Sequence, residues 1–131
     1  MKKEISKKYL WEKIVSPYIR KRDMDFRGQG KCISCPNKIT YETCHAGHFV
    51  PKSAGKWFYW NEDNIHAQCA KCNCFGSNDT GANYYKNLCN KIGKSKTDHI
   101  LKMKHRSPLE PRNLNQIKNY YEDKFKTLSN L

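Results

Sequence analysis

Two Cys-x-x-Cys pairs, Cys32/Cys35 and Cys69/Cys72, constrain this chain more than any other feature. A zinc thiolate site needs four sulfurs at tetrahedral corners, and a two-residue spacer lets one tight turn present two of them. Two such turns complete the set, so Cys32, Cys35, Cys69 and Cys72 are assigned to a structural Zn²⁺. The competing reading, four buried thiols without a metal, makes poor use of two spaced pairs. The segment between the pairs is longer than the roughly 12–20 residues of a simple zinc ribbon, so it has room for a hairpin with its own function. Cys44, Cys74 and Cys89 are left over and read as reduced, partly buried thiols.

Seven cysteines, an odd number, fit a disulfide framework poorly. Spaced pairs without a secretory signal point to zinc in a reducing compartment. The N-terminus has lysines but no apolar segment behind them, and no stretch approaches the ~20 apolar residues that span a bilayer. The expectation is a cytoplasmic protein with no membrane partner. At 131 residues the chain suits one domain spanning 1–131. Its 25 Lys+Arg against 12 Asp+Glu leave a formal charge of +13. That excess suits a polyanionic partner, nucleic acid first, with a merely solvated basic surface as the plain alternative.

Residues 4–23 read as helical, with Leu10/Trp11, Ile14/Val15 and Tyr18/Ile19 forming one apolar stripe. Pro17 interrupts it, and Ser16 reads as an N-cap, so two helices or a kinked one are expected. The charged end, Arg20-Lys21-Arg22-Asp23, is expected in solvent or facing phosphate. Gly28-Gln29-Gly30 loosens the backbone before the first knuckle. A short strand over 43–50 carries His45 and His48, and the aromatic run Trp57-Phe58-Tyr59-Trp60 reads as its partner strand. Those aromatics suit core packing better than stacking on bases.

After the second knuckle come a turn over 76–81, a helix over 82–92 closed by Gly93, and a short helix over 97–104. Residues 106–112, with two prolines, form a linker. A last helix over 113–129 starts with Asn113 and Gln116 in capping-box positions. Its stripe of Leu114, Ile117, Tyr121, Phe125 and Leu128 can dock on the core or on a second copy in a homodimer; the core is the default.

The stretch Asn64-Ile65-His66-Ala67-Gln68-Cys69-Ala70-Lys71-Cys72-Asn73 resembles the second half of the HNH nuclease motif. Taken with Tyr18-Ile19-Arg20, Arg22-Asp23, Cys32-Ile33-Ser34-Cys35 and His45-Ala46-Gly47-His48-Phe49, it resembles the phage recombination protein family NinG (also called Rap) over roughly residues 10 to 95. The resemblance implies an α+β fold. Its zinc-stapled ββα-metal (HNH) core would span 27–95, with a short two-stranded hairpin and flanking helices. It also implies a phage-encoded endonuclease in the bacterial host, acting on branched recombination intermediates such as Holliday junctions or D-loops.

Phosphodiester hydrolysis needs an activated water, charge neutralisation on phosphate and stabilisation of the leaving 3′ oxygen. His48 is the candidate general base, since imidazole titrates near neutral pH. Taken alone it reads as a structural histidine; with Asn64 and Asn73 in register with the knuckle it reads as catalytic. HNH enzymes commonly place a metal-binding Asp or His just before this histidine, where this chain has Gly47. Residues two apart on a strand share a face, so His45 can reach the vacated position. Asn73 is the second ligand of a catalytic Mg²⁺ or Mn²⁺. Asn64 holds the histidine loop or orients His48.

Candidate DNA contacts are Lys52, Lys56, Lys71, Lys86, Lys91 and Lys94, each of which alone reads as a surface lysine. A zinc deaminase would need a glutamate two residues after its histidine and a proline before the first cysteine. The relevant positions hold Gly47 and Gln68, which excludes it. A non-catalytic zinc module that binds DNA by charge is the remaining alternative, along with a dimerising interaction protein whose nuclease centre is dead.

Overall fold

In the computed structural model, residues 4–129 are described. Helix α1 (Lys7–Tyr9) is capped by Ser6, whose side chain accepts from Tyr9 N. It runs without a break through a π-helical segment (Leu10–Val15) into α2 (Ser16–Arg22). The cap thus sits at Ser6 instead of Ser16, whose hydroxyl accepts from Arg20 Nε. Pro17 is the physical reason for the π turn. In a regular α-helix its ring strikes the carbonyl four residues back, and a wider preceding turn removes that clash.

Strands β1 (Gln29–Lys31) and β2 (Lys38–Thr40) form one antiparallel hairpin, with Gly30 opposite Ile39. The first knuckle is its turn, so Gly30 belongs to a strand, while Gly28, with φ 74°, bends the backbone just before it. Strands β3 (His45–His48) and β4 (Ile65–Gln68) form the second hairpin, pairing His45 with Gln68 and Gly47 with His66.

The aromatic run is not a strand: α3 (Lys56–Trp60) is helical, begins at Gly55, and sits between two 3₁₀ turns, Lys52–Ala54 and Glu62–Asn64. β4 already fills the edge of β3. Phe58 and Trp60 are freed to fill the core, both about 1 % exposed. The second knuckle opens α4 (Ala70–Phe75), with Cys69 as its N-cap. Helix α5 (Asn78–Ile92) starts four residues before the expected point and takes in most of the supposed turn. Its first turn is secured by Ser77 N donating to Thr80 Oγ1. Gly93, with φ 98°, closes it at a backbone angle that suits glycine. Helix α6 covers Lys94–Met103 and α7 covers Leu114–Ser129.

The β3–β4 hairpin separates two layers. On one side Ala46 and Ile65 pack with Leu10, Val15, Tyr18, Ile19 and Trp60, and α7 covers them through Ile117 and Tyr121. The Asn113–Gln116 capping box forms, each side chain accepting the other's backbone N–H at 2.8 Å. The apolar stripe of α7 lies on this core. On the other side α5 ties the knuckle and hairpin together. Asn87 donates to Ile33 O at 2.7 Å, and Tyr84 donates to Gly47 O at 2.7 Å. No described helix is long and apolar enough to cross a membrane.

Candidate metal centres and the histidine face

The four knuckle sulfurs converge, with all four Sγ atoms within 4.8 Å of one another. They come from the β1–β2 turn and the start of α4, held in register by Ile33 N donating to Ala67 O. Ser34 N and Cys72 N donate to Cys32 Sγ and Cys69 Sγ, bonds that favour the ionised sulfur. Burial and neighbouring sulfurs push the Cys32 and Cys72 thiols up. At Cys69 burial acts the same way, but donors from Cys72, Cys35 and Cys32 outweigh it and bring the thiol down to about 7. Four thiolates this close need a cation to offset their repulsion, and a tetrahedral zinc fits that need. These four residues could hold it.

The structure brings His45 and Asn73 together. His45 Nδ1 lies 3.0 Å from the Asn73 side-chain amide, and Cys74 Sγ is 4.0 Å from the same nitrogen. Gly47 leaves no room for a side chain. A Cβ there would stand 1.8 Å from Gln68 Oε1 and 2.9 Å from Asn73 Oδ1. An Asp in its place would have to displace Gln68, a residue that motif reading passed over.

His48 lies on the opposite face of β3, as strand alternation requires. It stacks on Trp11 with ring centroids 5.0 Å apart, and Tyr59 meets it edge-on at 5.6 Å. Its Nε2 is 2.9 Å from Tyr59 O. A carbonyl only accepts, so Nε2 carries the proton and Nδ1 keeps its lone pair. Among the described residues Nδ1 has no hydrogen-bond partner. Burial, helped by nearby Lys52, pulls the ring down to about 4, so it is neutral at pH 7.

Asn64 does not touch His48. Fully buried, it accepts from Val50 N (2.8 Å) and donates to Val50 O and Phe58 O (both 2.9 Å). It is therefore a positioning residue. It fixes the loop whose next residue, Tyr59, supplies the carbonyl that holds His48.

The charged end of α2 departs most from the sequence expectation. Arg22 and Asp23 are enclosed, not solvated. Arg22 donates to Glu62 O, Ile65 O and His66 Nδ1, and Asp23 Oδ2 accepts from Ala67 N at 2.8 Å. Lys91 joins this network, 2.8 Å from both Asp23 Oδ1 and His66 Nδ1. Its ammonium is therefore engaged within the protein, on a side chain that stays 39 % exposed. Asp23 stays ionised despite burial, because the Arg22 hydrogen bonds and the Lys91 charge hold it well below the carboxylate range. Lys94 pairs with Asp98 at 2.5 Å on the surface. Lys52, Lys56, Lys71 and Lys86 are exposed, and the Lys52 ammonium lies 5.4 Å over the Tyr59 ring beside His48.

A family model described as "Bacteriophage Lambda NinG protein" matches residues 1–130. Protein ninG of Escherichia phage 933W is 33% identical over 119 residues, covering 91% of this chain and 56% of that protein. The Escherichia phage lambda protein is also 33% identical over 119 residues, covering 91% and 55%. Protein ninG of Salmonella phage P22 is 32% identical over 117 residues, covering 89% and 55%. The chain thus spans about half the length of these relatives. No solved structure matches it.

Proposed function

The chain belongs to the NinG family, and from that premise and the geometry above we propose that it is a metal-dependent DNA endonuclease built on an HNH (ββα-metal) core. The observation that carries this reading is the His48 ring. Tyr59 O fixes one nitrogen as the donor and leaves the other as a neutral proton acceptor with no partner among the described residues. That is the form a general base needs.

His48 Nδ1 takes the proton of the attacking water as the new P–O bond forms and the bond to the 3′ oxygen breaks. The Nε2–H bond to Tyr59 O then steadies the imidazolium. Asn64 donates to Phe58 O and so steadies the residue next to Tyr59. His45 and Asn73 would hold the divalent cation, Mg²⁺ or Mn²⁺ in the plainest case. When bound, the cation neutralises charge on the phosphate and on the leaving oxygen. Lys52 adds positive charge beside the base. Since His48 and His45 leave β3 on opposite faces, a scissile phosphate would have to reach both across the end of the strand. Branched recombination intermediates are the substrate the family resemblance implies.

That same opposition of faces favours the second reading, a zinc-stabilised module that binds DNA without cutting it. The two separate on one variant. His48→Ala is expected to lower cleavage per folded molecule by about 10²–10⁴-fold while zinc content and DNA affinity stay as they are. Unchanged cleavage would remove His48 from the chemistry.

A further inference from the structure

The hairpin face that carries His45 holds two more donor atoms that the motif does not account for. Gln68 is the cross-strand partner of His45, so both side chains leave the sheet on the same side, with Cβ atoms ~4.5–5.5 Å apart. Gln68 is only 4 % exposed. Its Nε2 donates to Ser34 Oγ at 2.8 Å, whereas Oε1 accepts no hydrogen bond among the described residues. That oxygen is aimed at the space over Gly47, where Asn73 Oδ1 also points. Two amide oxygens facing one point with no proton between them repel each other, and a cation there reverses the sign. With the Asn73 amide turned over, its oxygen instead meets His45 Nδ1, so either orientation leaves an oxygen beside a second donor atom.

Cys74 supplies the fourth group. Its Sγ is 4.0 Å from His45 Nδ1. Metal–nitrogen and metal–sulfur bonds of ordinary length at a tetrahedral angle put the two atoms ~3.6 Å apart, so a small rotation of the exposed cysteine suffices. The set is one imidazole, two amide oxygens and one thiolate, with no carboxylate. Mg²⁺ favours anionic oxygen and water, whereas imidazole with thiolate suits Co²⁺ and Zn²⁺.

We propose that Gln68 Oε1 and Cys74 Sγ complete a second divalent-metal site with His45 and Asn73, one that takes Co²⁺ or Zn²⁺ in preference to Mg²⁺. This rests on His45 and Asn73 being the ligands of the nuclease cation. It also explains Gly47: the oxygen that a side chain at 47 would provide comes instead from across the sheet.

The test is a Co²⁺ titration of the full, zinc-loaded chain, following absorption together with cobalt and zinc content. A second cation equivalent is expected with zinc retained, carrying a near-ultraviolet thiolate-to-cobalt band that excess Mg²⁺ does not remove. Cys74→Ser, an exposed change, should abolish the band and weaken cobalt binding. Gln68→Ala should weaken it by about 10–100-fold. Gln68→Glu, which keeps the shape should the alanine variant misfold, should raise Mg²⁺ affinity. Cobalt entering only by exchange with zinc, or a band unchanged in Cys74→Ser, would overturn the site. A second equivalent without the band, lost in His45→Ala, would also overturn it but would leave the nuclease ligands standing. A site that binds as expected in a protein that cuts nothing would end the nuclease reading alone.

Discussion

His48 and His66 occupy neighbouring strands of one hairpin, and comparing their surroundings separates a histidine with one unpartnered ring nitrogen from one with none. Each ring donates Nε2–H to a backbone carbonyl, Tyr59 O at 2.9 Å and Asp63 O at 2.8 Å. Burial pulls both down, to about 4 and about 3, with Lys52 adding to it at His48 and Lys91 and Arg22 at His66. They differ at Nδ1. In His66 that atom is covered by Arg22 and Lys91; in His48 it has no partner among the described residues. A lowered pKa therefore does not tell the two rings apart, while the unspent lone pair of His48 does.

The largest test removes the frame that both histidines share. Cys32→Ser or Cys69→Ser should release zinc and unfold the domain, because structural zinc contributes about 10–16 kcal/mol of folding free energy in small zinc modules. Zinc content and a circular-dichroism melt read this out, and a folded zinc-free variant would refute the staple. Next comes the His66 corner. Asp23→Ala leaves the enclosed Arg22 without its anion, which should cost about 3–5 kcal/mol by denaturant melt. Activity per folded molecule should hold; a catalytic loss at unchanged stability would make this corner part of the site.

Acid should act on both corners together. The unfolded chain takes up protons near pH 6.5, while the folded rings resist until about 4 and 3. Stability is therefore full above about 6.5 and falls as pH drops below it, by roughly 1.4 kcal/mol per pH unit for each ring. His48→Ala should remove about half of that slope and leave the half due to His66; melts that do not change between pH 6.5 and 4.5 would contradict the burial of both rings. The smallest effect belongs to Lys52→Ala, which should lower the salt dependence of DNA binding by about one phosphate contact.

Spacing made part of this legible. The knuckles converge because Cys-x-x-Cys is a local geometry, and the alternation of β3 puts His45 toward Asn73. The α7 stripe follows helical period onto the core. What stayed hidden depends on partners distant in the chain. Trp57–Trp60 has the composition of a strand, yet the edge of β3 belongs to Ile65–Gln68, and no local pattern says so. The Arg22–Asp23–His66–Lys91 network pairs Lys91 with Asp23, 68 positions away, and nothing local to Lys91 shows that pairing. Gln68 was passed over because only the strand register places it beside His45.

The most direct measurement is cleavage of a four-way DNA junction and a matched linear duplex by the purified chain, with Mg²⁺, Mn²⁺ or chelator, alongside His48→Ala. The expected result is metal-dependent cutting of the junction that disappears in the variant and with chelator. Equal cutting of both substrates would keep the nuclease and discard the branched preference. Tight binding with no cutting under any cation would contradict the nuclease outright and leave a zinc-held DNA-binding module.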